Sequence, residues 1–170
     1  MRRYGGFTLV ELLVMIAVIA VLAGILIFGR GFIAAGRITK AVEGMDIIRK
    51  SASTYAGQVG GALTTSTNSE LPTLSNRQLL PTLDSATSTW FVSGAGTDSI
   101  SITNLRFGQL AGANVVAITV STPKQEMADD VWKAVRDDGF LIRTGGPTIG
   151  GSTCAAGSPA TSVVVICFNL

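Results

Sequence analysis

Residues 7–28 read FTLVELLVMIAVIAVLAGILIF and contain one charged side chain, Glu11, and no proline. The uncharged run from Leu12 to Phe28, with the apolar residues before Glu11, approaches the roughly 20 residues that a helix needs to cross a bilayer. Hydrophobic residues make up 47% of the chain, and this run holds much of the excess, because the sequence after Arg30 is rich in Gly, Ser, Thr and Ala. The sequence therefore predicts one membrane-spanning helix joined to one polar domain.

A short basic segment precedes the apolar run. It contains Arg2 and Arg3, and two glycines lie directly before Phe7. An ordinary secretory signal has its small-residue cleavage site after the apolar region, whereas here the glycines precede that region. Cleavage after Gly6 would leave the apolar helix on the mature protein. The positive-inside rule places Arg2 and Arg3 in the cytoplasm and the polar domain on the other side of the membrane.

Glu11 is the one acidic residue in the apolar run. A carboxylate inside a bilayer costs roughly 2.5–3.5 kcal/mol on insertion scales, and such residues usually have a partner and a function. Cleavage before Phe7 would create an α-amino group one helical turn from Glu11. The amine of one chain could equally meet the Glu11 carboxylate of a staggered neighbour and fix their register, as buried polar residues do in coiled coils. The alternative is that Glu11 lies at the headgroup level, where its charge costs little.

The segment Gly6-Phe7-Thr8-Leu9-Val10-Glu11, followed by the apolar run, resembles the class III signal of type IV pilins and pseudopilins. The motif is short but specific, because a glycine, an aromatic residue, a glutamate and an apolar run must all coincide. The resemblance implies that a prepilin peptidase cuts after Gly6 and methylates the amine of Phe7. It also implies that Glu11 is the residue that directs assembly.

One position departs from the family's pattern. Many members carry a helix-breaking proline where this sequence has Phe28, and glycines occur nearby instead. Glycine costs about 1 kcal/mol relative to alanine inside a helix. Residues 29–31, Gly-Arg-Gly, are therefore a candidate weak point or bend, and the pattern leaves open whether the helix is continuous there.

The helical pattern continues beyond Arg30 but becomes one-sided. Apolar residues recur at alternating steps of three and four, which is typical of a helix lying on a core: Ala34, Ile38, Ala41, Met45, Ile48, Ala52 and Tyr55. The helix is expected to end before Gly57. The predicted organisation is a leader at 1–6, a transmembrane or filament-core helix at 7–30, and a head domain at 31–170. Within the head domain we expect an amphipathic helix at 31–56, a loop region at 57–98, and sheet, helix and disulfide-bounded segments at 99–170.

Several shorter elements are predicted in the head domain. Period-two alternation predicts a strand at 99–103, a stronger and central strand at 114–120, and a final strand at 162–170, with a short strand at 140–142. Ser75 is expected to cap a short helix that runs to Leu80 and is stopped by Pro81. Thr122 is expected to be the N-cap of a helix over 123–138, with Pro123 in its first turn and Gly139 as its stop.

The two cysteines, Cys154 and Cys167, lie near the C-terminal end of the sequence, and a bond between them would fix the glycine-rich stretch 145–160 to the final strand. In an exported domain an isolated pair predicts a disulfide, whereas in a cytosolic protein two free thiols would be expected. In pilins a C-terminal disulfide bounds a variable region, and this pair is similar in place. The resemblance implies an α+β pilin fold, in which a long N-terminal helix packs on an antiparallel sheet. The helix near 123–138 is more like type IVb pilins, and the short leader with Phe7 is more like type IVa, so the subtype stays open.

Composition argues against several classes of function. Lys and Arg total 13 against 11 Asp and Glu, scattered along the chain, so no basic patch for nucleic acid is evident. Histidine is absent from the sequence, and no phosphate loop or nucleophile motif occurs. The acidic pairs at 129–130 and 137–138 lack the spacing of a calcium loop and are interpreted as solvated faces, with a calcium site as the alternative. We therefore expect no enzyme activity, cofactor or metal.

The leading functional hypothesis is the major structural subunit of a type IV pilus, a surface filament for adhesion, motility, aggregation or DNA transfer. The expected partners are identical subunits, a prepilin peptidase, the inner-membrane assembly machinery and, before assembly, the membrane. The expected location is the inner membrane and then the bacterial surface. The alternatives are a minor pilin, a pseudopilin of a secretion machine, and a single-pass tethered binding module that never polymerises.

Overall fold

The computed structural model describes residues 8–81, 83–84, 87–93, 99–136, 141, 146–157 and 159–170. The chain divides into two compact units, Met1–Gly36 and Arg37–Leu170, and the division falls within the first helix. The predicted boundaries of leader, membrane helix and head domain remain predictions. In chain order, the elements are α1 Leu9–Gln58, α2 Leu71–Asn76, β1 Trp90–Ser93, β2 Ile100–Leu110, β3 Ala113–Ser121, α3 Gln125–Val135, β4 Thr148–Ile149, β5 Ser152–Thr153 and β6 Val163–Asn169.

Helix α1 is continuous through residues 29–31, so the candidate weak point there does not interrupt it. The helix ends where glycine allows the chain to turn. Gly60 has a φ of 94°, which residues with a side chain rarely adopt. The Gly61 N–H then donates to the Ala56 carbonyl at 2.7 Å and satisfies one of the free carbonyls at the helix end.

The C-terminal half of α1 supplies one side of the main core. The predicted apolar stripe is confirmed there, since Ala41, Met45, Ile48 and Ala52 are buried and Ile38 and Tyr55 pack against them. The Tyr55 ring also stacks on Phe107 of β2, with 5.5 Å between the ring centroids. This half of the helix therefore lies on the sheet through a continuous apolar face.

The sheet has four antiparallel strands in the order β1-β2-β3-β6. The predicted central strand is β3 and the predicted final strand is β6, and both are confirmed. Strand β2 is longer than the predicted 99–103. The prediction ended early because a bulge between Ile102 and Asn104 shifts the alternation by one residue. Ile100 and Ile102 are buried before the bulge and Leu105 and Phe107 after it, so no single period of two describes the whole strand.

The sheet is covered on both faces. One face packs against α1, α2 and α3 through the main core, which includes Ile118, Val131 and Ile166. The other face carries a smaller cluster made by Val115, Ala117, Ile149 and the two cysteines. Cys154 and Cys167 form a disulfide with their Cα atoms 5.6 Å apart, and it ties the segment containing β4 and β5 to β6. The long helix, the antiparallel sheet and the disulfide confirm the predicted α+β pilin-like arrangement.

Two predicted helix starts are wrong. Ser75 lies inside α2, which begins at Leu71 with Pro72 in its first turn, because buried Leu71 and Leu74 anchor the segment earlier in the chain. Thr122 is not the N-cap of α3. Its hydroxyl oxygen lies 2.8 Å from the carbonyl oxygens of both Lys124 and Ser162, either of which can accept its one proton, and α3 begins at Gln125 after an extended Lys124.

Other differences concern short elements. The region 57–98 was expected to be a loop with one short helix, yet it also contains β1. The glycine-rich stretch holds the β4–β5 hairpin. Leu141, in the predicted strand 140–142, forms an isolated bridge with Phe168, whereas residues 137–140 and 142–145 lie outside the described part of the chain. The acidic pair at 137–138 and the predicted stop at Gly139 are among these residues.

Candidate functional site

The start of α1 brings Thr8 and Glu11 together. The Thr8 backbone N–H donates to Glu11 Oε2 at 3.0 Å, and the Thr8 hydroxyl donates to the same oxygen at 2.9 Å. In return the Glu11 N–H donates to the Thr8 hydroxyl at 3.3 Å. This reciprocal arrangement is a capping box, which satisfies backbone donors that the first helical turn leaves free.

Thr8 is a site residue that the sequence interpretation missed. A Thr followed three residues later by Glu, just before an apolar run, is the sequence signature of a capping box. The sequence contains this capping-box signature, but Thr8 and Glu11 were both interpreted as parts of a processing motif instead. The capping box gives the Glu11 carboxylate a partner within its own chain, whereas its pairing with the Phe7 amine stays a prediction.

Gly6 and Phe7, the predicted cleavage site and methylated residue, lie outside the described part of the chain. Cleavage after Gly6, methylation of Phe7 and the assembly role of Glu11 therefore stay predictions. The described geometry fixes only where the Glu11 side chain lies, three residues after Thr8 on the first turn of α1.

The surface around Glu11 is apolar. Helix α1 is long and apolar enough to cross a membrane by length and composition. The large side chains that follow Glu11 are exposed, among them Leu12, Ile19 and Ile25, and Glu11 is the one charged residue between Tyr4 and Gly29 in the sequence. A contiguous apolar surface of this size marks a membrane or protein interaction site, because exposing it to water is unfavourable.

The described residues offer little for other chemistry. Within them no group of three or more His, Cys, Asp or Glu side chains could hold a metal ion. Both described cysteines are in the disulfide. The acidic Asp129 and Asp130 lie on α3, where Lys133 pairs with both, which agrees with a solvated, ion-paired helix face. The arrangement that stands out is therefore the capped, singly charged start of an exposed apolar helix.

Comparison with known proteins finds a match in the same region of the chain, the start of α1. Residues 1–27 match the family model of the prokaryotic N-terminal methylation motif, which is the class III signal of type IV pilins. No curated protein and no solved structure shows a significant match to the chain. The motif supports a type IV pilin-like or pseudopilin protein, a structural rather than an enzymatic class. It implies processing by a prepilin peptidase and assembly in a pilus, and the apolar helix suggests a membrane-anchored precursor.

Proposed function

We propose that this protein is the major structural subunit of a type IV pilus, and that it polymerises with identical copies through its N-terminal helix. The observation that carries the proposal is Glu11, a lone acid at the capped start of an exposed apolar helix within the matched motif. In this proposal residues 1–6 are removed as a leader, the Phe7 amine is methylated, and the protein is a structural subunit without enzymatic activity.

The apolar surface of α1 explains how a membrane protein can enter a filament. The side chains from Leu9 to Ile27 pass from lipid into contact with other apolar helices, so little apolar surface is transferred to water. The step is feasible because both environments are apolar. The same surface therefore serves as a membrane anchor before assembly and as a filament core afterwards.

Glu11 supplies the register for this packing. Thr8 binds one carboxylate oxygen, Oε2, and in our proposal the carboxylate also accepts the Phe7 amine of a neighbouring subunit. Removing one partner of an ion pair that assembly buries is strongly destabilising, because the other charge is left without compensation. The capping box and the ion pair are separable, since one depends on shape and hydrogen bonding and the other on charge.

The test compares two substitutions at the start of α1. Glu11→Gln keeps the side-chain shape and can still accept the Thr8 bonds, but it removes the charge, so we expect sheared surface filaments to fall by about 100-fold or more. Thr8→Ala keeps the charge and removes the cap, which costs about 1 kcal/mol of helix stability, and filaments should still form. Filament yield is measured by sedimentation and immunoblotting, with the membrane fraction measured in parallel.

Glu43→Gln is the matched control, because Glu43 is an exposed acid on the second half of the same helix. It should leave filament yield unchanged. Normal filaments from Glu11→Gln, with the protein still exported and inserted, would remove the role assigned to Glu11. A filament in which this chain is a minor component would favour the minor-pilin alternative.

A further inference from the structure

One edge of β2 is covered in two different ways. Near its start, β1 pairs with Ile100–Ile102 in antiparallel register. Beyond the bulge that follows Ile102, β1 makes no further pair with β2, while β3 continues along the opposite edge as far as Leu110. Leu105 and Phe107 therefore direct their backbone N–H and C=O groups toward a side of the sheet that no named strand occupies.

Residues 66–70, which we call the covering segment, satisfy all four of these groups. The Ser66 N–H donates to the Phe107 carbonyl at 3.0 Å, and the Glu70 N–H donates to the Leu105 carbonyl at 2.8 Å. The Ser66 hydroxyl accepts from the Phe107 N–H at 2.9 Å, and the Ser69 hydroxyl accepts from the Leu105 N–H at 3.4 Å.

The serine hydroxyls are required because the covering segment is not in strand register. Ser66 and Glu70 are four residues apart, yet they meet Phe107 and Leu105, which are two residues apart. A regular antiparallel partner would advance by two residues and offer its own carbonyls. Here the chain is bent and its carbonyls do not reach the β2 amides, so two side-chain oxygens take their place.

The covering segment is held from outside by the β4–β5 hairpin. The space where a Cβ of Gly150 would lie is filled by the Ser66 carbonyl oxygen, so the hairpin turn lies directly against the segment. Arg106 of β2 donates to the Gly150 carbonyl, and Ile149 fills the space above Gly108, where a Cβ would lie 2.7 Å from Ile149 Cγ2. The β4–β5 hairpin, whose following residue Cys154 is joined to β6 by the disulfide, thus helps to hold the covering segment in place.

The chain just before the covering segment is also held in place. The Asn114 side chain accepts from the Leu63 N–H at 2.9 Å and donates to the Gly61 carbonyl at 2.5 Å. The threonines that neighbour the two serines in the sequence, Thr64, Thr65 and Thr67, are exposed. Only the hydroxyls that face β2 take part in the closure, which separates Ser66 and Ser69 from the other hydroxyl residues of the loop.

We propose that the Leu105–Phe107 edge of β2 is a latent strand-pairing surface for a second copy of this chain, which residues 66–70 keep closed. Unpaired strand edges are templates for pairing with another chain. The choice of partner rests on the proposed function, because an assembling subunit meets its own copies at the highest local concentration. The closure restricts contacts between copies to those made elsewhere, including the apolar helix.

The experiment opens the edge in the full-length chain in detergent micelles. Ser66→Ala/Ser69→Ala removes both hydroxyl acceptors, and Thr64→Ala/Thr67→Ala is the matched control that removes two exposed hydroxyls. Hydrogen–deuterium exchange of the Leu105 and Phe107 amides should be at least about tenfold faster in the serine variant at low protein concentration. At high concentration the variant should self-associate in sedimentation velocity, and the same amides should become protected again. The control should match the wild type in both measurements.

Exchange at wild-type rates in the serine variant would overturn the proposed closure, and fast exchange without self-association would overturn the pairing surface. Tryptophan fluorescence verifies that the head is folded, and if the double variant is unfolded, Ser69→Ala replaces it and should accelerate exchange at Leu105 alone. Neither measurement depends on filament formation, so failure here leaves the role of Glu11 untouched. Normal filaments from Glu11→Gln, which would remove the role of Glu11, would likewise leave the proposed closure untouched.

Discussion

The two halves of α1 have similar apolar residues but opposite surroundings. Ile19, in the first half, has 64% of its surface exposed, whereas Ile48, in the second half, is fully buried against the sheet. The second half finds its partner within the chain, and the first half does not find one among the described residues. The difference teaches that the first half presents its apolar surface outward, and in the proposed function that surface contacts first lipid and then other copies of the chain.

The largest expected effect comes from truncating an equivalent side chain in each region. Ile48→Ala, in the buried second half of α1, should lower the free energy of unfolding of the head by about 2–5 kcal/mol. Ile19→Ala should change it by less than about 0.5 kcal/mol. Denaturant unfolding followed by tryptophan fluorescence measures this, because both tryptophans, Trp90 and Trp132, lie in the head unit. Equal losses from the two variants would contradict the division.

A smaller effect separates two glycines of the same helix. A Cβ at Gly44 would lie 2.7 Å from Val92 Cγ1, whereas a Cβ at Gly36 would have no atom within 4 Å. Gly44→Ala should lower the head's free energy of unfolding by up to about 2 kcal/mol, since overpacking of about 1–3 kcal/mol outweighs a helix-propensity gain of about 1 kcal/mol. Gly36→Ala should leave it unchanged or raise it by at most about 1 kcal/mol. Shifts in the same direction by the same amount would show that Gly44 is not tightly packed.

The sequence predicted the parts of the molecule that follow a simple period. The apolar run, the stripe from Ala41 to Ala52, and strands β3 and β6 could all be found because their residues repeat regularly. The pairing of Cys154 with Cys167 could be predicted because no other cysteine competes for either one.

The remainder depends on contacts between distant segments. The bulge after Ile102 breaks the alternation of β2, and β4 and β5 contain only two residues each, too few to show a period. The tight turn at Ala111 and Gly112, both with positive φ, lacks the usual Asn-Gly signal. The roles of Ser66 and Ser69 arise only when β2 lies beside them. At the candidate site, Glu11 and the processing motif were predicted, while the capping role of Thr8 was present in the sequence and overlooked.

The central claim is that the apolar half of α1 remains on the mature protein as its polymerising segment. Mass spectrometry of the N-terminal peptide, from protein purified out of sheared surface filaments and out of the membrane, tests this most directly. The account predicts a mature chain that begins at Phe7 and carries one added methyl group on its α-amine. A chain that begins at Met1, or one cut after residue 30 so that the apolar helix is lost, would contradict it.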